Sequence, residues 1–256
     1  RDLHDYFVRW PSLPEVRYLY RAELHEAALQ LNARPPASPD LALSSRDLNQ
    51  FDVAALKLET PRLNLQTRLF DPARAWLLPN QNALALLRQS ARGGEEFGQA
   101  RRDAPFELRP TLYEGGPDVP LAASFANGWT YLGYSLARDA GTLRLHVYWH
   151  VDANWQPPAA RPIEILSGSP IPLRVFSHVL NPDGSFLAGG DDLGVDPATL
   201  YPGDDFIQLL QIRLPPDLPP GNYPLEIGLY NPVSGERVRL VNGSDHLTLT
   251  QVPSAP

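Results

Sequence analysis

Short apolar runs in the second half of the chain alternate with polar positions, which is the pattern of half-buried strands. In Thr142–Val151 every second residue is apolar, and Tyr223–Tyr230 repeats the alternation after a proline-glycine turn. Leu173–Leu180 is apolar on both faces, which predicts a central strand. Such runs return about every ten residues from Phe106 onward. They predict an antiparallel β-sandwich of the jelly-roll or immunoglobulin-like type.

The first hundred residues show a helical period instead. Apolar residues recur at steps of three and four, and they predict one helix that ends before Pro35: Val16, Tyr20, Leu24, Ala27 and Leu31. The other elements predicted in this half are a strand at Asp40–Ser45, a helix at Asp47–Leu58, strands at Leu63–Phe70 and Ala73–Leu78, and a helix at Asn80–Ala91. Helices that alternate with strands are typical of a small α/β layer.

A polar stretch from Gly93 to Pro105 separates the two patterns, and the helical period disappears beyond it. We therefore predict an α+β protein of two domains. Residues 1–103 form the small α/β domain, and residues 104–256 form the antiparallel β-sandwich domain.

The amino-acid composition excludes some classes of partner and of binding site. The formal net charge is −7, and this acidic excess argues against nucleic acid as a partner because phosphate binding needs a basic face. Cysteine is absent, which excludes disulfides and thiolate metal sites. Methionine is absent too, so we expect the chain to be processed or to be part of a longer protein. The piece given contains no uncharged segment that resembles a membrane span.

Aromatic side chains are dense between Trp129 and Tyr201, and an exposed ring is a surface on which the apolar face of a sugar can stack. Trp155 lies in a predicted loop and is the first candidate for such a platform, followed by Trp129, Tyr131 and Tyr148. Core packing is the alternative, because most aromatic residues of a sandwich are buried in it.

Four carboxylates in glycine-rich loops are the candidate metal ligands, and calcium is the metal that such oxygen ligands favour: Asp183, Asp191, Asp192 and Asp196. The same residue types also close turns by bonding their own backbone, so a turn is the alternative. His178 can meet Asp191 across a hairpin, either as an ordered structural contact or as part of a site.

Catalysis has little support in the residues. Glu226 is the one acid within a regular strand and is the candidate for a glycosidase acid. We expect no activity in this chain alone, and we predict no catalytic residue.

Several turns and predicted strands in the second half of the chain resemble segments of a known protein family. These are similar to the C-terminal tail of bacterial polytopic membrane glycosyltransferases, the family that resembles protein O-mannosyltransferases and uses lipid-phosphate sugar donors. The similar segments are Leu173–Gly184, Asp191, Tyr201–Asp204 and Leu218–Tyr230. Asp5–Trp10 and the helix after it resemble the segment that leaves the last membrane span there.

The resemblance implies an extracytoplasmic location, at the cell surface or in the periplasm, with the full-length protein tethered to the membrane. It implies a non-catalytic module that positions an acceptor, a glycan or a partner. The implied partners are a glycan or lipid-linked sugar acceptor and the membrane-embedded portion of the same polypeptide. The catalytic acids of that family lie in loops between membrane spans, so none transfers to this chain. The alternative is a free-standing secreted or surface protein that binds carbohydrate or self-assembles.

Overall fold

The computed structural model describes residues 22–34, 40–79, 83–88, 106–111, 115–139, 141–157, 173–219 and 221–253, together with Arg9, Leu13 and Tyr113. Its helices are α1 (Ala22–Asn32), α2 (Gln50–Glu59) and one 3-10 turn (Pro197–Thr199). Its strands are β1 (Asp40–Ser44), β2 (Gln66–Phe70), β3 (Ala75–Leu78), β4 (Leu84–Arg88), β5 (Phe106–Pro110), β6 (Val119–Ser124), β7 (Trp129–Asp139), β8 (Thr142–Val151), β9 (Arg174–Leu180), β10 (Phe186–Asp192), β11 (Asp205–Arg213), β12 (Asn222–Tyr230), β13 (Arg237–Val238) and β14 (Leu247–Pro253).

The strands form three sheets. A four-stranded sheet has the order β2-β1-β4-β5, in which β1 is parallel to β2 and β4 while β5 is antiparallel to β4. One antiparallel five-stranded sheet has the order β10-β9-β12-β13, with β14 also paired to β12. The other has the order β3-β11-β8-β7-β6 and is antiparallel as well. The described chain is therefore mostly β-strand, with antiparallel sheets, as the alternation predicted.

The clearest strands of the sequence lie where they were expected. Strand β8 covers the predicted Thr142–Val151, and all five of its alternate apolar residues are buried. Strand β9 lies between β10 and β12, which confirms the prediction of a central strand. Both five-stranded sheets contribute to one cluster of buried side chains, to which β9 and β12 send Val175, Val179, Leu225 and Ile227. The alternation identified the buried face because each strand has one side against this cluster.

The prediction of a helix at Asn80–Ala91 was wrong. Residues 84–88 form strand β4 in the four-stranded sheet. Leu84 and Leu86 face the cluster that contains the helices, while Ala85 and Leu87 face the cluster shared by the five-stranded sheets. Because both faces are covered, the run is apolar without interruption, and periodicity cannot distinguish such a strand from a buried helix.

The helices lie within or close to the predicted spans. In α1, Leu24, Ala27 and Leu31 are buried as the stripe predicted, whereas Val16, Tyr20 and the predicted stop at Pro35 lie outside the described residues. Helix α2 begins later than predicted, because the Asn49 side chain accepts hydrogen bonds from two backbone N–H groups of the first turn. Neither described helix has the length and apolar character needed to cross a bilayer.

A strand pairing and a buried ion pair are two of the contacts between the halves of the chain. Strand β3, from the first hundred residues, pairs antiparallel with β11. Arg68 of β2 donates from Nη2 to Asp204 Oδ1 at 2.9 Å and from Nε to Asp204 Oδ2 at 3.1 Å. The predicted division at residues 103 and 104 stays a prediction, and the linker stretch from Gly93 to Pro105 lies outside the described residues.

Candidate functional site

The four aromatic residues predicted as a sugar platform lie in the core. Trp129 and Tyr131 have no exposed surface, and Tyr148 and Trp155 are 7% and 8% exposed. Trp155 packs on Trp129 with ring centroids 5.4 Å apart, although its loop position suggested a free ring. A stacking platform needs an exposed ring face, and none of the four offers one. Their positions agree with the alternative interpretation, core packing.

The four predicted metal carboxylates serve four different purposes. Asp183 accepts from Ser185 N at 2.9 Å and Ser185 Oγ at 2.7 Å and closes the turn after β9. Asp196 caps the 3-10 turn by accepting from Ala198 N at 3.1 Å. Asp192 accepts from Arg74, and Asp191 contacts His178.

Within the described ranges, no group of three or more histidine, aspartate or glutamate side chains converges as a metal centre. Asp183 and Asp196 bond backbone N–H groups of their own turns, as the turn alternative predicted. Asp191 and Asp192 instead pair with side chains from distant parts of the chain. Calcium coordination needs six to eight oxygens around one point, and the arrangement of these four does not provide it.

The predicted meeting of His178 with Asp191 across the hairpin is confirmed. His178 Nε2 lies 3.4 Å from Asp191 Oδ1, and Tyr230 OH donates to Asp191 Oδ2 at 3.0 Å. Desolvation raises the pKa of the Asp191 carboxyl, but the contacts with His178 and Tyr230 outweigh it and hold the pKa below its ordinary value. Asp191 is therefore an ionised acceptor on a partly exposed strand.

Asp191 also borders a cleft of about 310 Å³ at the place where three parts of the chain meet. Arg46, Ala73 and Arg74 come from the first hundred residues, Gly190–Asp192 from β10, and Leu209–Gln211 from β11. Ligand sites are often found at such junctions between structural units, and the volume lies at the lower end of the range for small-molecule sites.

The turn between β2 and β3 positions the arginines of the cleft. Asp71 accepts the backbone N–H groups of Arg74 and Ala75 at its carbonyl, both at 2.9 Å. Its carboxylate pairs with Arg46 Nε at 2.5 Å and with Arg74 Nε at 3.3 Å. Arg74 Nη1 pairs with Asp192 Oδ1 at 2.9 Å. Both guanidinium groups are held by carboxylates, and the two side chains are still half exposed, at 50% and 52%.

A glycine allows the cleft wall to close. A Cβ atom on Gly190 would lie 2.7 Å from the carbonyl oxygen of Gln211, so a larger residue would push β10 away from β11. The sequence places Gly190 beside Asp191, and we predicted a metal loop there because glycine-rich loops can present several oxygen ligands together.

No protein-family model and no curated protein matches the chain. The chemistry of the cleft therefore has to be derived from its own groups. Each guanidinium has five N–H donors in a plane, and ion pairs occupy only some of those of Arg74. The carboxylates of Asp191 and Asp192 are acceptors. Because hydrogen-bond donors and acceptors lie side by side in the cleft, it suits a ligand whose polar groups can each donate and accept a hydrogen bond.

Sequence reasoning missed the arginines of this site. Arg74 and Asp192 are 118 positions apart, and neither stands in a local motif. An arginine in a short turn is ordinarily a solvated residue, so only the packing of β3 against β11 indicates that Arg74 lies beside β10.

Proposed function

We propose that the chain is a non-catalytic extracytoplasmic module of a bacterial membrane glycosyltransferase, and that it positions a neutral glycan acceptor. In this proposal the two five-stranded sheets pack as an antiparallel β-sandwich next to a small α/β layer. The proposed location is the cell surface or the periplasm, with the full-length protein tethered to the membrane.

The resemblance supports this proposal through the elements that carry it. Leu173–Gly184 comprises β9 and the turn after it, and Leu218–Tyr230 includes β12, its partner in the sheet. Tyr201–Asp204 is the turn whose aspartate accepts hydrogen bonds from Arg68. These segments form two central strands and a turn held by a buried ion pair. A module that presents a binding surface needs such a rigid framework.

The cleft beside Asp191 is the observation that carries the proposed binding. A sugar hydroxyl donates one hydrogen bond and accepts others, so it can donate to a carboxylate while it accepts from a neighbouring guanidinium. Arg74 and Asp192 present this combination at 2.9 Å from each other. Because Asp71 holds both arginines, less side-chain entropy is lost when a ligand binds.

The charge of the lining favours a neutral sugar over a sugar phosphate. Two arginines face two aspartates in the cleft, and Asp71 pairs with both arginines from behind. A phosphate would meet carboxylates that repel it, because like charges at short range are unfavourable. An acceptor glycan therefore fits better than the lipid-phosphate donor.

Isothermal titration with neutral oligosaccharides of the cell envelope and with uronic-acid analogues of equal length tests this binding. We expect saturable binding of the neutral set, weakened about tenfold or more in Arg74→Ala by the loss of charge-assisted hydrogen bonds. Arg239→Ala, an exposed arginine that does not line the cleft, is the matched control and should bind normally. Tighter binding of the uronates, or no binding at millimolar concentration, would overturn the proposal.

The membrane attachment needs a separate test. The reading frame upstream of the codon for Arg1 should encode several apolar segments of about 20 residues each. A frame that encodes only a secretory signal peptide before Arg1 would instead support the free-standing secreted or surface protein.

A further inference from the structure

The outer face of the β10-β9-β12 sheet carries a row of rings that the cleft does not use. Phe176 and His178 alternate on β9 with Val175 and Val179, which point into the shared core. Phe176 is 1% exposed but belongs to neither hydrophobic cluster, so its burial comes from groups on the outer face. The ring centroids of Phe176 and His178 are 4.7 Å apart, and those of His178 and Phe186 are 5.1 Å apart.

A β-bulge brings Phe186 onto this face. Phe186 pairs with Leu180, and Ala188 pairs with Val179, so Leu187 is the extra residue of β10. Without the bulge, Phe186 and Gly189 would point to opposite faces, since three positions separate them and side chains alternate. The bulge restores the same face and turns the Phe186 ring toward His178, as bulges do when they redirect a side chain near a site.

Glycines give these rings room. A Cβ atom on Gly189 would lie 2.8 Å from His178 Cδ2 and 3.0 Å from Phe186 Cε2. A Cβ atom on Gly228 would lie 2.5 Å from the ring of Phe176. Two of the three strands therefore have a glycine where a ring lies flat against the sheet, and this arrangement depends on both glycines.

Phe186 is the free end of the row. Its side chain is 61% exposed, whereas Phe176 is covered on one side by the guanidinium of Arg237, 4.5 Å from the ring centroid. The contact with His178 is edge to face, with an interplanar angle of 86°. Asp191 follows on the same face of β10 and borders the cleft at the other end.

We propose that Phe186, together with His178 and Asp191, forms a second saccharide subsite that continues the cleft. A sugar ring stacks on Phe186, while Asp191 accepts hydroxyl donors between this ring and the cleft. This inference rests on the proposed function of the cleft. It adds that the ligand is an oligosaccharide. Phe186 and Asp191 pair with Leu180 and Phe176, which are four strand steps or about 13 Å apart, and Arg74 pairs with the next residue, Asp192. A sugar stacked on Phe186 and a sugar bound by Arg74 are therefore separate units.

Affinity measured against chain length tests the subsite. Wild type, Phe186→Ala and Arg74→Ala are titrated with a series of neutral oligosaccharides from one to six units. We expect Phe186→Ala to weaken the longest ligands about five- to tenfold and to leave the shortest unchanged. Arg74→Ala should weaken all lengths. Val233→Ala, which removes another exposed apolar side chain from a turn of the same sheet, is the control.

The outcomes separate the two proposals. If Phe186→Ala binds every length like the wild type, the second subsite is wrong and the cleft stands. If no length binds to the wild type, the proposed function of the cleft fails as well. Phe186→Tyr provides an independent variant, because it keeps the exposed ring. It should bind every length like the wild type, and a loss for long ligands as large as that of Phe186→Ala would overturn the stacking.

Discussion

Arg68→Met should cost the protein about 3–5 kcal/mol of unfolding free energy. The Arg68 side chain is 3% exposed and that of Asp204 is 1% exposed. Arg68 donates twice to Asp204, pairs with Asp40, and lies with its guanidinium 4.4 Å from the ring centroid of Tyr201. Methionine fills a similar volume but leaves the Asp204 charge buried without its partner, and that uncompensated charge is the larger part of the loss.

The pH dependence provides a second readout of the same variant. Burial raises the pKa of Asp204 even though Arg68 and the Tyr201 N–H lower it. Without Arg68 the pKa rises further. A carboxyl whose folded-state pKa is raised loses stability as the pH increases from its unfolded value towards the folded one. The defect should therefore be small near pH 4 and grow towards neutral pH.

Urea unfolding followed by tryptophan fluorescence measures both effects. Arg46→Met is the matched control, since it removes an arginine–aspartate pair whose arginine is half exposed and should cost less than about 1 kcal/mol. Arg68→Met with Asp204→Asn should recover part of the loss, because no unpaired charge then remains at position 204. A loss below about 1 kcal/mol in Arg68→Met, or no recovery in the double variant, would refute the reasoning.

Three further outcomes follow from burial and contact. Trp155→Ala should lower the unfolding free energy by about 3–5 kcal/mol in a urea titration, because the indole is 8% exposed; a fully stable variant would contradict its place in the core. Gly228→Ala should cost about 1–3 kcal/mol and lower the thermal midpoint, since the new Cβ would lie 2.5 Å from the Phe176 ring. Tyr230→Phe should cost about 0.5–1 kcal/mol at pH 7, a value reduced for the partial exposure of Asp191.

The Tyr230→Phe difference also has a defined sign with pH. The folded-state pKa of Asp191 is lowered, so its contribution is present above the ordinary value of about 3.9 and is lost as the pH falls through the folded value. Unfolding curves of wild type and variant should therefore converge in acid. Curves that stay separated there would show that the hydroxyl acts by packing instead.

Some residues of the candidate site could be predicted from local sequence, and others are brought there only by distant contacts. The hairpin that joins His178 to Asp191 could be predicted because its turn, Asn181-Pro182-Asp183-Gly184, has the residues that such a turn requires; Gly184 has φ +85°. The arginines of the cleft could not, because Arg46 and Arg74 reach it through the turn at Asp71 and the pairing of β3 with β11.

The amino-acid sequence by itself determines the strands whose one face is buried, as in Thr142–Val151 and Asn222–Tyr230, because alternation is a local property of the backbone. Tertiary structure decided the rest. Leu84–Arg88 became a strand because layers cover both of its faces. Trp155 is buried, although it lies in a loop, because Trp129 packs against it. Arg68 pairs with Asp204, which is 136 positions away in the sequence. Burial and pairing depend on which surfaces meet, and that depends on the whole chain.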